Sequence, residues 1–128
     1  MNDKLILVVD DDPCCRYSLE AVLRSLGFSV ISASNGVQAV DLALTHQPKL
    51  IFMDLMMPDM DGYTATVAIH AGQATTATPI VALSASSDLR HRFRALEAGM
   101  VAFVPKPWKV ADIQRILRTT LDDAERPS

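Results

Sequence analysis

Five polar side chains follow directly on short runs of Val, Ile and Leu: Asp10 and Asp11 after Lys4–Val9, Asp54 after Leu50–Met53, Ser84 after Ile80–Leu83, and Lys106 just past Val101–Val104. Carboxylates brought together repel. Two like charges ~4 Å apart cost about 4 kcal/mol at an effective dielectric near 20. A hard divalent cation relieves that repulsion, and an all-oxygen site with few protein ligands suits magnesium, or manganese, open to a phosphate. Lys106 adds a positive charge and Ser84 a hydroxyl donor. Both can stabilise an incoming phosphoryl group while a carboxylate acts as nucleophile. Asp54 stands alone after its run and is the candidate nucleophile; the paired Asp10 and Asp11 are candidate metal holders. Taken singly, each residue has an ordinary role as well. Asp12 before Pro13 is a helix cap, a serine after a strand caps the next helix, and a lysine between Pro105 and Pro107 is a solvated loop residue.

Convergence depends on the elements that carry these residues. Apolar runs of strand length recur five times, at Lys4–Val9, Phe28–Ala33, Leu50–Met53, Ile80–Leu83 and Val101–Val104, with helical periodicity between them. Leu19, Val22, Leu23 and Leu26 stripe a first helix that Gly27 ends. Asn35-Gly36 opens a second, with Val37, Val40 and Leu44 on one face. A third starts near Gly62 and gives way to a polar loop, Gln73–Thr78. Leu89, Phe93 and Leu96 stripe a fourth that stops at Gly99, and Val110, Ile113, Leu117 and Leu121 a fifth. Strands apolar on both faces, alternating with helices, predict an α/β fold with a doubly wound five-stranded parallel sheet. The second strand ends in Ala33-Ser34 and offers no comparable polar group. A strand order of 2-1-3-4-5, with the crevice between strands one and three, then gathers all five side chains at the carboxyl edge, where open sheets bind ligands. The chain of 128 residues reads as one domain, with a core over about 4–122 and a tail, 123–128, expected to fray.

Hydrophobic residues make up 49% of the chain and charged residues 21%, which supports a packed core and argues against disorder. A net charge of −3 gives no general attraction to nucleic acid or anionic membrane, and no apolar run approaches the ~20 residues that cross a bilayer. No direct nucleic-acid or membrane partner is therefore expected. Cys14 and Cys15 are adjacent, and neighbours rarely reach disulfide geometry. With no signal peptide evident, the expected location is cytoplasmic. His46, His70 and His91 share no metal-ligand spacing and read as surface residues. Arg90, His91, Arg92 and Arg94 read as a solvated face of the fourth helix, or part of a partner surface.

The pattern resembles the receiver domain of two-component response regulators, a flavodoxin-like fold. The matching segments are Val8-Val9-Asp10-Asp11-Asp12-Pro13 with Arg16, Met53-Asp54-Leu55-Met56-Met57-Pro58 with Met60-Asp61-Gly62, Ala82-Leu83-Ser84-Ala85, and Val104-Pro105-Lys106-Pro107. Ser84 follows Asp54 by 30 residues and Lys106 follows Ser84 by 22, spacings also similar to the family's. The resemblance implies that Asp54 is the phosphoacceptor. Asp11 would bind magnesium directly, Asp10 through water, and the Met56 carbonyl would complete the protein's ligands. Ser84 would swing toward the phosphoryl oxygens, Lys106 would pair with them, and Phe103 would be the aromatic switch that turns with Ser84. Met56 and Ser86 match positions that tune the lifetime of the phosphorylated form. Lys106-Pro107 matches a commonly cis peptide bond. The implied partners are a histidine kinase or histidine phosphotransfer protein, and a downstream protein target or output domain met by the fourth helix, fifth strand and fifth helix. Beyond self-catalysed phosphotransfer and autodephosphorylation, no enzyme activity is implied. Pro105 and Trp108 depart mildly from the family pattern, and no departure removes a functional group.

The competing reading is a haloacid-dehalogenase-type phosphatase, which also forms an aspartyl phosphate. Asp10-Asp11-Asp12 contains an Asp-x-Asp, but Cys14 stands where that family has Thr or Val, and its cores are larger. A nucleotide switch lacks its glycine-rich loop. With no output domain in the sequence, the chain reads as a stand-alone regulator or a receiver from a larger protein such as a hybrid kinase.

Overall fold

Hydrophobic pattern and turn chemistry agree along most of this chain. The computed structural model describes residues 4–85 and 88–122. Five strands, β1 (Leu5–Val9), β2 (Ser29–Ala33), β3 (Leu50–Asp54), β4 (Ile80–Ser84) and β5 (Ala102–Pro105), pair in parallel in the order 2-1-3-4-5. Helices α1 (Pro13–Ser25), α2 (Gly36–His46), α3 (Gly62–His70), α4 (Leu89–Ala98) and α5 (Val110–Leu117) connect or follow them. A wider π-type turn, Arg118–Asp122, extends α5. The expected tail, 123–128, lies outside the described residues.

Caps fix the helix starts. Asp12, Asn35 and Asp61 each accept a backbone N–H of their own first turn, from Cys14, Gln38 and Thr64 at 2.9, 2.8 and 2.8 Å. At the other ends, Gly27 and Gly99 take φ of 97° and 108°, a left-handed turn open to glycine at little cost.

Residue alternation along the strands builds one core on each side of the sheet. Leu7, Val9, Ile51 and Met53 face α2 and α3, while Ile6, Val8, Phe52 and Leu83 face α1 and α5. Each fully buried large side chain contributes on the order of 2 kcal/mol in transfer terms.

Two helical stripes correct the sequence reading. In α2 the buried residues are Gly36, Ala39 and Ala43, while Val37 and Leu44 are exposed. In α4 only Ala95 is buried, and Leu89, Phe93 and Leu96 face solvent. Small residues let a helix lie close to the sheet, so the packed face is the alanine face and the larger side chains turn out. The histidine reading is corrected too: His70 and His91 are half-buried, and His70 Nε2 lies 2.9 Å from the Thr78 carbonyl oxygen.

Candidate functional site

Parallel register delivers the polar residues to one edge. Val9 pairs with Met53, Asp54 with Leu83 and Ser84 with Pro105, so Asp10, Asp54, Ser84 and Lys106 leave their strands at similar height. The Asp10 N–H donates to the Ala33 carbonyl at 3.2 Å and the Lys106 N–H to the Ser84 carbonyl at 2.8 Å, carrying the sheet pattern up to the site. Asp10 Oδ1 accepts from the Asp12 N–H at 2.9 Å, and Arg16 Nη1 donates to the Asp10 carbonyl at 2.9 Å. Asp12 itself caps α1 and stands outside the cluster. Asp54 Oδ1 accepts from the Met56 N–H at 3.2 Å. Below, α3 starts so close to β3 that a Cβ on Gly62 would collide with the Asp54 carbonyl oxygen.

Asp10, Asp11 and Asp54 each offer a carboxylate oxygen, all within 4.8 Å of one another. Asp10 and Asp54 are buried at 1% and 5% exposure, while Asp11 stands in solvent. Lys106 Nζ lies 2.8 Å from Asp10 Oδ2 and 3.4 Å from Asp54 Oδ2. The lysine therefore leans toward Asp10 rather than Asp54. Burial pushes the Asp54 carboxyl up to about 7; the Lys106 charge opposes this and Asp10 adds to it. Burial works against the Lys106 ammonium, but its bond to Asp10 and the charges of Asp54 and Asp10 outweigh it and hold the group above its ordinary value. A cluster of three close carboxylates, one of them raised this far by its surroundings, fits a divalent cation with oxygen ligands.

The other expected residues fall around this cluster. Ser84 is buried at the end of β4, and Phe103, on β5, is partly buried against the core under α4. Met56, whose N–H bonds Asp54, is 63% exposed. Ser86 lies outside the described residues. Lys106-Pro107 is cis, as the resemblance implies. Cys14 and Cys15 are both free thiols, and Cys15 Sγ donates to Asp12 Oδ2 at 3.4 Å. Sequence reasoning missed two contacts of the arginine run. The Arg92 guanidinium sits 5.3 Å from the Phe103 ring centroid, and that of Arg94 sits 4.2 Å from the Tyr63 ring centroid. Their i, i+2 spacing sends them to different neighbours, which periodicity alone does not specify.

A family model described as the response regulator receiver domain matches residues 6–118. A probable transcriptional regulator, ycf27, of Porphyridium aerugineum is 33% identical over 128 residues, covering 100% of this chain and 52% of its own. The response regulator MprA of Mycobacterium sp. (strain KMS) is 34% identical over 116 residues, covering 91% of this chain and 50% of its own. The chain thus spans about half the length of the curated relatives it matches. Among solved structures, the receiver domain of the sensor histidine kinase PA1611 from Pseudomonas aeruginosa PAO1 superposes with a TM-score of 0.87 at 39% identity, covering 93% of this chain and 98% of its own. That protein was solved with a magnesium ion coordinated in its active-site cleft.

Proposed function

The chain belongs to the response regulator receiver domain family of two-component signalling, and from that premise we propose that Asp54 accepts a phosphoryl group from a histidine kinase or histidine phosphotransfer protein. The observation that carries this reading is the placement of Asp54: a buried carboxylate ending the central strand, with Lys106 Nζ at 3.4 Å and two further acids beside it.

In the transfer, a carboxylate oxygen of Asp54 forms a bond to phosphorus as the phosphorus–nitrogen bond of the donor phosphohistidine breaks, the electron pair leaving on the imidazole. Lys106 and the Ser84 hydroxyl face the oxygens of the transferring group, where charge gathers. Magnesium, or manganese, held by Asp10, Asp11, Asp54 and the Met56 carbonyl, would supply the charge that lets an anionic phosphoryl group approach three carboxylates. Ser84 then draws toward the phosphoryl group and Phe103 turns into the space it leaves. The surface of α4, β5 and α5, with Arg90, Arg94 and Lys109, passes that change to a target or output domain. Apart from this self-catalysed transfer and its own dephosphorylation, the chain turns over no substrate.

The family match leaves the phosphatase alternative without support. Labelling with acetyl phosphate or a phosphohistidine kinase, followed by mapping of the phosphorylated residue, tests the assignment: Asp54 for a receiver, Asp10 for the phosphatase. Asp54→Asn is expected to remain folded and to take no label. Full-strength, hydroxylamine-sensitive labelling in that variant would overturn the proposal.

A further inference from the structure

Between the start of α1 and the loop that joins β5 to α5 lies a cavity of about 260 Å³, lined by Cys14, Cys15, Ser18, Lys106, Pro107 and Trp108. Trp108 packs against the core on the α1 and α5 side of the sheet, which holds its ring as one wall. Pro107 adds a second apolar surface of fixed shape. A cavity of about 150 Å³ suffices for a benzene-sized molecule, so this one accommodates a single ring with a short polar extension. Apolar walls with a few polar groups converging on them are the composition of a small-molecule site.

Charge and thiol chemistry select the ligand. Asp12 stands next to both cysteines, accepting from the Cys14 N–H and from Cys15 Sγ. The cation of the cavity, Lys106, is already shared between Asp10 and Asp54. An anion would therefore meet an acid and a compensated cation. A neutral carbonyl oxygen asks less, since an ammonium has three donors and can meet it without leaving its acids. The two thiols differ. Cys15 is half-buried, and burial together with its bond to Asp12 pushes its thiol up, so it stays protonated. Cys14 is a free thiol exposed on the cavity's rim and is the one open to a bound electrophile.

We propose that this cavity binds small, uncharged, planar α,β-unsaturated carbonyl compounds and that Cys14 traps them. The ring of the ligand lies along Trp108 and Pro107, and its carbonyl oxygen faces the Lys106 ammonium. Cys14 Sγ forms a bond to the β-carbon as the carbon–carbon π pair moves toward the carbonyl, placing negative charge on the oxygen beside Lys106. The thiol proton, given up to solvent as sulfur attacks, returns at the α-carbon and restores the carbonyl. The product is a thioether, and the addition needs neither oxidant nor reductant.

The test follows alkylation of the intact chain by N-phenylmaleimide, a planar uncharged member of this class, with mass spectrometry giving both rate and position. Methyl methanethiosulfonate, which is small and develops no enolate, reports the bare reactivity of the same thiol. Expected are modification at Cys14 and a maleimide rate that saturates with concentration, as for binding before reaction. Trp108→Ala should lower the ratio of the maleimide rate to the methanethiosulfonate rate roughly tenfold, by loss of the ring contact. Ser18→Phe, at an exposed position of α1 outside the core, should do the same by filling the cavity, and it keeps the test open if Trp108→Ala does not fold. Lys106→Met should lower the maleimide rate at saturation, whereas the two cavity variants should raise the concentration needed to reach it. A maleimide rate linear in concentration, modification at Cys15 instead, or equal effects of Ser18→Phe on both reagents would each overturn the proposal. An unchanged saturating rate in Lys106→Met would remove the lysine from the step and overturn the chemistry assigned to it.

Discussion

Under the proposed assignment, a phosphoryl group on Asp54 would be lost when water approaches it in line, and Met56 stands two residues beyond Asp54. Its backbone N–H is tied to Asp54 Oδ1 at 3.2 Å, which roots the thioether chain beside the path. An apolar side chain there can neither orient a water nor leave it much room. Met56→Asn is therefore expected to shorten the lifetime of the phosphorylated form, and a tenfold change needs only ~1.4 kcal/mol, within reach of one hydrogen bond. Decay followed beside the wild type checks this; equal or slower decay in the variant removes Met56 from the path. At this scale the acids, Ser84 and Lys106 were legible in the sequence, because strand ends of a parallel sheet collect at one edge whatever the side chains are. The preference of Lys106 for Asp10 was not. It depends on tenths of an ångström in the reach of a flexible side chain, and no spacing encodes that.

Elements were legible in number and order, but not always in which face they bury. In α2 and α4 the largest apolar residues trace a helical period, and the sheet takes the alanines between them instead. Periodicity reports that a face exists, not that the sheet is what covers it. At the start of α3, Gly62 is set by close approach, since any Cβ there meets the end of β3. Gly62→Ala should displace the end of β3, costing on the order of 1–3 kcal/mol in stability by overpacking and, on the proposed reading, slowing labelling of Asp54. Thermal melts and labelling rates together check this, and a variant that matches wild type in both contradicts the packing described. Because Ala95 is the single buried residue of α4, that helix has little apolar area holding it down. Phosphorylation should alter amide exchange mainly between Ser84 and Lys109. Changes confined to α1 and α2 would refute that route.

For the whole molecule, the site sets a balance between folding, protons and metal. The Asp54 carboxyl titrates near 7 in the folded chain against an ordinary 3.8, so the native state holds the extra proton between these values. Stability without metal should then fall as pH rises from about 4 to about 7 and level off above. Asp88, held down to about 2 by its bonds to Arg90, acts with the opposite sign, its support fading only as pH falls through its own lower range, and so leaves this window clear. Melting temperatures at pH 5 to 8 should show the slope, Asp54→Asn should flatten it, and magnesium should raise the melting temperature most above pH 7. A flat wild-type profile would contradict the burial described. One contact reaches further. With Lys106 Nζ 2.8 Å from Asp10 and 3.4 Å from Asp54, the acids already have a tenant, and on the proposed reading metal uptake would be an exchange of one cation for another. Lys106→Met should consequently bind magnesium more tightly than the wild type in a calorimetric titration, even as it loses the group that answers the phosphoryl charge. Weaker or equal affinity in that variant would mean the ammonium and the metal do not compete.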